Sequence, residues 1–142
     1  MTTVPELDQF PSRISEKLSY RDTDPLGHVN HVVFVSMLET GRIAVFFEND
    51  KSLLSKGCGL VVVSLSVNFL AEARWPGQVE IGTRITKIGR SSVTVEQGIF
   101  QNGRCCTTGI TVIAQMNMTT RRSQALEEST VDYLESLMAN SN

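Results

Sequence analysis

The chain has 142 residues, 41% of them hydrophobic and 20% charged, with a net charge of -2 and no basic block. That length suits one domain able to bury about two thirds of its unfolded surface, and the near balance of charge excludes a nucleic-acid footprint in favour of small-molecule chemistry. No run of about 18 apolar residues is available to span a bilayer, and three cysteines, with Cys105 and Cys106 adjacent and aimed at opposite faces of a strand, argue against a disulfide framework.

The first residues, Met1 to Asp8, carry neither a basic leader nor an apolar run, so an unprocessed, soluble, cytoplasmic protein is expected. No repeat, low-complexity tract or linker follows, which gives a single domain over 1–142 with its core at about 12–137. A strand is expected from about Ser12 to Tyr20. Next comes Tyr20-Arg21-Asp22-Thr23-Asp24-Pro25-Leu26-Gly27-His28-Val29-Asn30-His31, a loop that packs two carboxylates, a turn and two histidines into a few residues. Asn30 is a good helix N-cap, so the Asp22/Asp24 pair sits beside a helix start, where free backbone N–H groups and the dipole favour negative charge. A carboxylate beside an oxyanion-binding helix end is a small hydrolytic kit.

From His31 to about Glu48 the spacing predicts a helix despite its valines and Gly41, because the apolar stretch is too long for a strand and Glu39 and Arg42 are spaced to pair as i, i+3. Its apolar residues surround the axis, which predicts a buried helix, and Gly41 marks a close approach by sheet backbone or a partner subunit. Alternation then gives strands through Val61, Val63, Leu65, Val67, Phe69; through Val79, Ile81, Thr83, Ile85; through Val93, Val95, Gln97, Ile99; and through Cys106, Thr108, Ile110, Val112, Ala114. Short connections, among them Gly89-Arg90-Ser91 and the hairpin signal Asn102-Gly103, make these largely antiparallel neighbours. A short amphipathic helix over Ser129 to Leu137 opens on a capping-box-like Ser129-x-x-Asp132.

The run Asp22-x-Asp24-x-x-Gly27-His28-Val29-Asn30, the helical Glu39-x-x-Arg42, the segment Val67-Asn68-Phe69-Leu70 and the turn Gly89-Arg90-Ser91-Ser92 together resemble the hotdog-fold acyl-CoA thioesterases of the 4-hydroxybenzoyl-CoA thioesterase type. The resemblance implies an α+β hotdog fold, a curved antiparallel sheet wrapped around one long helix, in homodimers joined sheet edge to sheet edge and often in homotetramers, with active sites at the dimer interface. It implies an acyl-CoA substrate, or an acyl carrier protein as the thioester donor. No cofactor is expected, because coenzyme A is part of the substrate.

Carried over by position, the catalytic carboxylate falls on Asp24, a supporting role on Asp22, and the carbonyl-polarising backbone N–H on His31. Asp24 would attack the thioester itself or take a proton from a water that does. Glu39 is the second candidate, since related hotdog enzymes place the working carboxylate on this helix. His28 and Asn30 are candidates to touch substrate, and Arg90, Ser91 and Ser92 to meet the coenzyme phosphates. Each has a plainer reading: Asp22 and Asp24 as turn caps, Glu39 with Arg42 as an ion pair, Arg90 to Ser92 as a solvated turn. His28 and His31 lack a third well-spaced ligand, so no metal is expected. The chain departs from the family after the last strand, where Met118-Thr119-Thr120-Arg121-Arg122-Ser123 replaces a Thr-Gly-Arg-Pro-like segment. A hydroxyacyl-thioester dehydratase or hydratase with His28 at work, or a non-catalytic acyl-CoA binding module, are the alternatives.

Overall fold

A computed structural model describes residues 4–48 and 53–138. Five strands, β1 (Ser12–Lys17), β2 (Cys58–Phe69), β3 (Gln78–Ile88), β4 (Ser92–Gln101) and β5 (Arg104–Asn117), form one antiparallel sheet in the order β1-β3-β4-β5-β2. The long helix α1 (His31–Phe46) lies against one face, and the short α2 (Glu128–Glu135) packs by the end of β3. This is the expected hotdog arrangement.

β3, β4 and β5 are consecutive neighbours, as short turns require, and the β4–β5 turn has positive φ at both Asn102 (52°) and Gly103 (80°), the backbone that Asn-Gly supplies. β2 departs from expectation: it pairs with β5 rather than β3, so it crosses to the far edge of the sheet. Its other edge meets no strand among the described residues.

Bulges decide which alternating residues face α1. In β2 the register shifts between Val62 and Ser64, so Leu60 and Val62 stand opposite the inward-facing Gln115 and Ile113, and the predicted inward Val61 and Val63 change sides; Leu65, Val67 and Phe69 keep theirs. A second shift, opposite Ile99 and Phe100, puts Cys106 in the core with Leu38 and Ile99, after which Thr107, Gly109, Thr111, Ile113 and Gln115 are buried. The expected inner set beyond Cys106 (Thr108, Ile110, Val112, Ala114) therefore faces out, and Ile110 is 48% exposed. One extra residue reverses every side chain beyond it.

The inner layer is only partly apolar. Phe34, Leu38, Val45 and Phe46 of α1 pack on Ile81, Ile85, Val95 and Ile99. Between them Gln97 donates to the Leu38 carbonyl (2.8 Å) and to Thr83 Oγ1 (3.0 Å), and its Oε1 accepts from Arg42. α1 is thus not buried all round: Val32 and Ile43 are 75% and 38% exposed, because the sheet covers one side only. Gly41 is a close approach as expected, but to sheet side chains rather than backbone. A Cβ there would stand 2.7 Å from Gln97 Nε2 and from Ile81 Cγ2. The N-cap of the C-terminal helix falls two residues early, on Glu127 rather than Ser129, and Thr130 Oγ1 donates to the Leu53 carbonyl.

Two stability outcomes follow from these contacts. Gly41→Leu lowers the urea unfolding free energy by about 1–3 kcal/mol or more, because Gln97 is tied on three sides and Ile81 is fully buried. Asn30→Ala costs about 1 kcal/mol in the same measurement through loss of the α1 cap.

Candidate active site

The loop before α1 is tied at both ends. The Asn30 amide donates to the Asp22 carbonyl (2.9 Å), Val29 donates to the Ala73 carbonyl (2.8 Å), and the Asn30 side chain accepts from the Val32 amide (2.8 Å). Gly27, at φ 79°, lets the chain reverse within the turn. The His31 amide, the first of the helix, donates to no acceptor among the described residues. It is a free donor at the positive end of the dipole.

Asp24 lines the same cleft as His31. Its Oδ1 accepts from the Leu26 amide (2.8 Å) and the His28 amide (3.1 Å), so the turn-capping reading is realised for one oxygen. The other oxygen has no partner among the described residues. A cleft of about 390 Å³ is lined by Asp24, His28, Asn30, His31, Phe69 and Glu72, among others, so the half-buried carboxylate and the helix end share one space. Its far wall is apolar: the His31 ring stacks on Phe69 with centroids 4.2 Å apart, and Phe34 lies behind.

The remaining candidates divide. His28 lines the cleft and its Nε2 lies 2.9 Å from Glu72 Oε2. Asn30 also lines it, but its side-chain oxygen is committed to the helix cap. Asp22 turns away, with Oδ2 accepting from the Ser19 amide at 2.7 Å. Glu39 is exposed two turns along α1 and borders a different cleft. The expected Glu39–Arg42 ion pair does not form: Arg42 points inward to Gln97 and Thr111, and no Glu39 oxygen lies within 4 Å of it. Arg90, Ser91 and Ser92 sit at the α2 end of the sheet, where the Arg90 carbonyl accepts from Leu126. Arg74, beside the cleft, bonds Gln101 at the other end of β4, about 30 Å away along the strand. Within one chain the turn and Asp24 do not meet.

Sequence reasoning missed Glu72. It follows β2 in Ala71-Glu72-Ala73-Arg74, and an isolated bridge between His28 and Arg74 brings that segment to the loop. Arg74 grips its Oε1 through Nε (3.0 Å) and Nη2 (2.9 Å), and that bond, more than the charges around it, holds the Glu72 carboxyl below the usual range. The only sequence signal was the Glu72/Arg74 spacing, which on one strand face places the two side chains together. The thiols take no part here: burial pushes Cys105 up to about 11 and Cys106 in the same direction, so both stay protonated at neutral pH. Among the described residues no three His, Cys, Asp or Glu side chains are grouped to hold a metal ion, and no helix is long and apolar enough to cross a membrane.

Comparison with known proteins agrees with this architecture. The PA5185 protein of Pseudomonas aeruginosa superposes with a TM-score of 0.85 at 25% identity, covering 97% of this chain and 99% of that one. A Thermus thermophilus thioesterase, solved in complex with coenzyme A and zinc, is 30% identical over 92% of this chain and 96% of its own, with a TM-score of 0.78. The Staphylococcus aureus protein SAV2348, in complex with coenzyme A, shares the fold at 13% identity, a TM-score of 0.81, and coverage of 92% of this chain and 87% of that one. Comparison with curated proteins gives no match. The model of the thioesterase superfamily matches residues 26–107, which begins just after Asp24 and spans more than half of the chain. The chain belongs to the thioesterase superfamily, on the hotdog fold, and is a thioester hydrolase.

Proposed function

We propose that the protein hydrolyses acyl-CoA thioesters to a free carboxylic acid and coenzyme A, with Asp24 as the reacting carboxylate and the His31 amide as the donor to the carbonyl oxygen. The observation that carries this reading is the shared cleft: one Asp24 oxygen is held by two amides, the other oxygen and the amide opening α1 have no partner among the described residues, and both groups border the same space. With the carbonyl oxygen at the helix end, charge developing on it is met by a donor already in place. Either a water attacks, its proton passing to Asp24 and then to the departing sulfur, or Asp24 attacks and the resulting anhydride is cleaved by water. In the second route the C–O bond that Asp24 forms as C–S breaks is lost again when water cleaves the anhydride, so each route in net consumes one water, exchanges the C–S bond for one C–O bond and places one of the water's protons on the thiolate. The coenzyme A in the Thermus and Staphylococcus structures supports coenzyme A as the thiol half here, and an acyl carrier protein would present the same thioester arm.

The site belongs, on this reading, to a dimer joined along β2. That strand is twelve residues long with one edge unpaired among the described residues, and Val62, Val63, Leu65 and Phe69 are 40–64% exposed. Long apolar edges are rarely left open in a stable monomer. A second copy would also explain Arg90, Ser91 and Ser92: too far from Asp24 in their own chain, they are free to meet the coenzyme phosphates of a neighbouring one.

A dehydratase is the second reading, favoured by the His28–Glu72 contact of 2.9 Å. Release of free coenzyme A from saturated acyl-CoAs, with no hydration of enoyl thioesters, decides for hydrolysis, and the opposite pattern decides for the dehydratase. Asp24→Asn lowers kcat/KM at least about 100-fold while acyl-CoA binding persists; an unchanged rate overturns the role of Asp24, and wild-type binding without turnover means a binding module. Sedimentation gives twice the chain mass or a multiple of it, and a stable, active monomer overturns the shared site.

A further inference from the structure

A second cleft, of about 350 Å³, opens between α1 and β2 toward the other end of the helix, lined by Arg42 and Glu39 with the apolar Ile43, Phe46, Leu60 and Val62. Arg42 is 8% exposed, yet among the described residues its bonds run only from Nη1 to two neutral acceptors, Gln97 Oε1 at 3.2 Å and Thr111 Oγ1 at 3.3 Å. Among the described residues no carboxylate lies within 4 Å of it. A guanidinium has five N–H donors and stays charged, and a buried cation left to neutral acceptors is costly. Burial lowers the Arg42 pKa and the charge of Glu39 partly restores it, which places Glu39 as a distant counter-charge on the rim rather than a partner. The unspent donors border a cleft whose remaining walls are mainly apolar and whose volume is in the range of small-molecule sites.

We infer that this cleft binds a carboxylate attached to an apolar body, with the carboxylate on Arg42. A planar guanidinium matches a carboxylate with two parallel hydrogen bonds, and the aliphatic and aromatic walls take the rest. Two molecules carry that chemistry. One is an acyl group with a second carboxylate at its far end: Arg42 follows His31 by eleven residues, about 16 Å along α1, and on β2 Leu65 lies between Phe69, in the wall of the first cleft, and Val62, in the wall of the second, along the edge that the proposed dimer would cover, so that the path would run beside the subunit seam. This source rests on the hydrolysis proposed above. The other is a free aliphatic acid, which is the product of that reaction and would bind whether or not the protein hydrolyses anything.

The test has two arms on the intact protein, each with Arg42→Gln beside wild type. In the first, decanedioyl-CoA is compared with decanoyl-CoA; a far-end carboxylate gives wild type at least a tenfold higher kcat/KM on the dioyl substrate, and Arg42→Gln removes that preference. In the second, decanoate is compared with decanol by calorimetric titration; decanoate binds at least tenfold more tightly to wild type, and Arg42→Gln abolishes the difference. A positive result in either arm supports the inference and identifies the source. No carboxylate preference in either arm, or one that survives in Arg42→Gln, overturns it, as does an Arg42→Gln variant that dissociates in the ultracentrifuge with ligand preference intact, which would assign the guanidinium to a subunit seam. Failure to hydrolyse either thioester sinks the hydrolysis reading alone, since the titration still judges the cleft. The wild-type comparison of decanoate with decanol holds even where the variant fails to fold.

Discussion

The first turn of α1 is the constraint on which the site depends. Three hydrogen bonds fix it: the Asn30 amide to the Asp22 carbonyl, the Val29 amide to the Ala73 carbonyl, and the Val32 amide to the Asn30 side chain. Because the cap consumes the Val32 amide, the His31 amide is left at the mouth of the cleft with the helix dipole behind it. The same turn carries Asp24 back against the His28 amide, so the carboxylate and the donor are positioned by one short segment. Catalytic groups need alignment within a fraction of an ångström, and a loop closed on itself and anchored on Ala73, in the segment after β2, supplies it.

Beneath that turn the sheet does something less usual. Its helix-facing layer alternates large aliphatic residues with Thr83, Gln97, Thr111 and Gln115, all 1% exposed or less. Gln97 ties the middle of α1 to β3 and β4, and Gln115 ties β5 to the segment after β5 through the Gln124 and Ala125 carbonyls. A buried amide with every group satisfied specifies one packing, since any slip strands a donor. This explains how Gly41, rather than a larger residue, serves mid-helix: Gln97 and Ile81 occupy the volume its side chain would need.

What was legible from the residues is local. The Asp22–Asn30 loop, the Asn30 cap, the extent of α1, the strands and the Asn102-Gly103 hairpin all follow from spacing or from the φ that one residue type tolerates. The facing of β5 beyond Cys106 and of the start of β2 was not legible, because a bulge leaves alternation intact while reversing its phase. Nor was the crossing of β2 to β5, which depends on the whole sheet rather than on any connection. Glu72 escaped because its meaning comes from a bridge between His28 and Arg74, 46 residues apart in the chain. The Glu39–Arg42 spacing allowed an ion pair on the helix surface, but the amide and hydroxyl beneath drew the guanidinium inward.

The central claim is that the amide opening α1 polarises a thioester carbonyl facing Asp24. Infrared difference spectroscopy of a carbonyl-labelled acyl-CoA bound to the Asp24→Asn variant reads that polarisation directly. The account predicts a carbonyl stretch at lower frequency than for the same thioester in water. A band at or above the value in water would contradict it, because the carbonyl would then be bound away from any aligned donor.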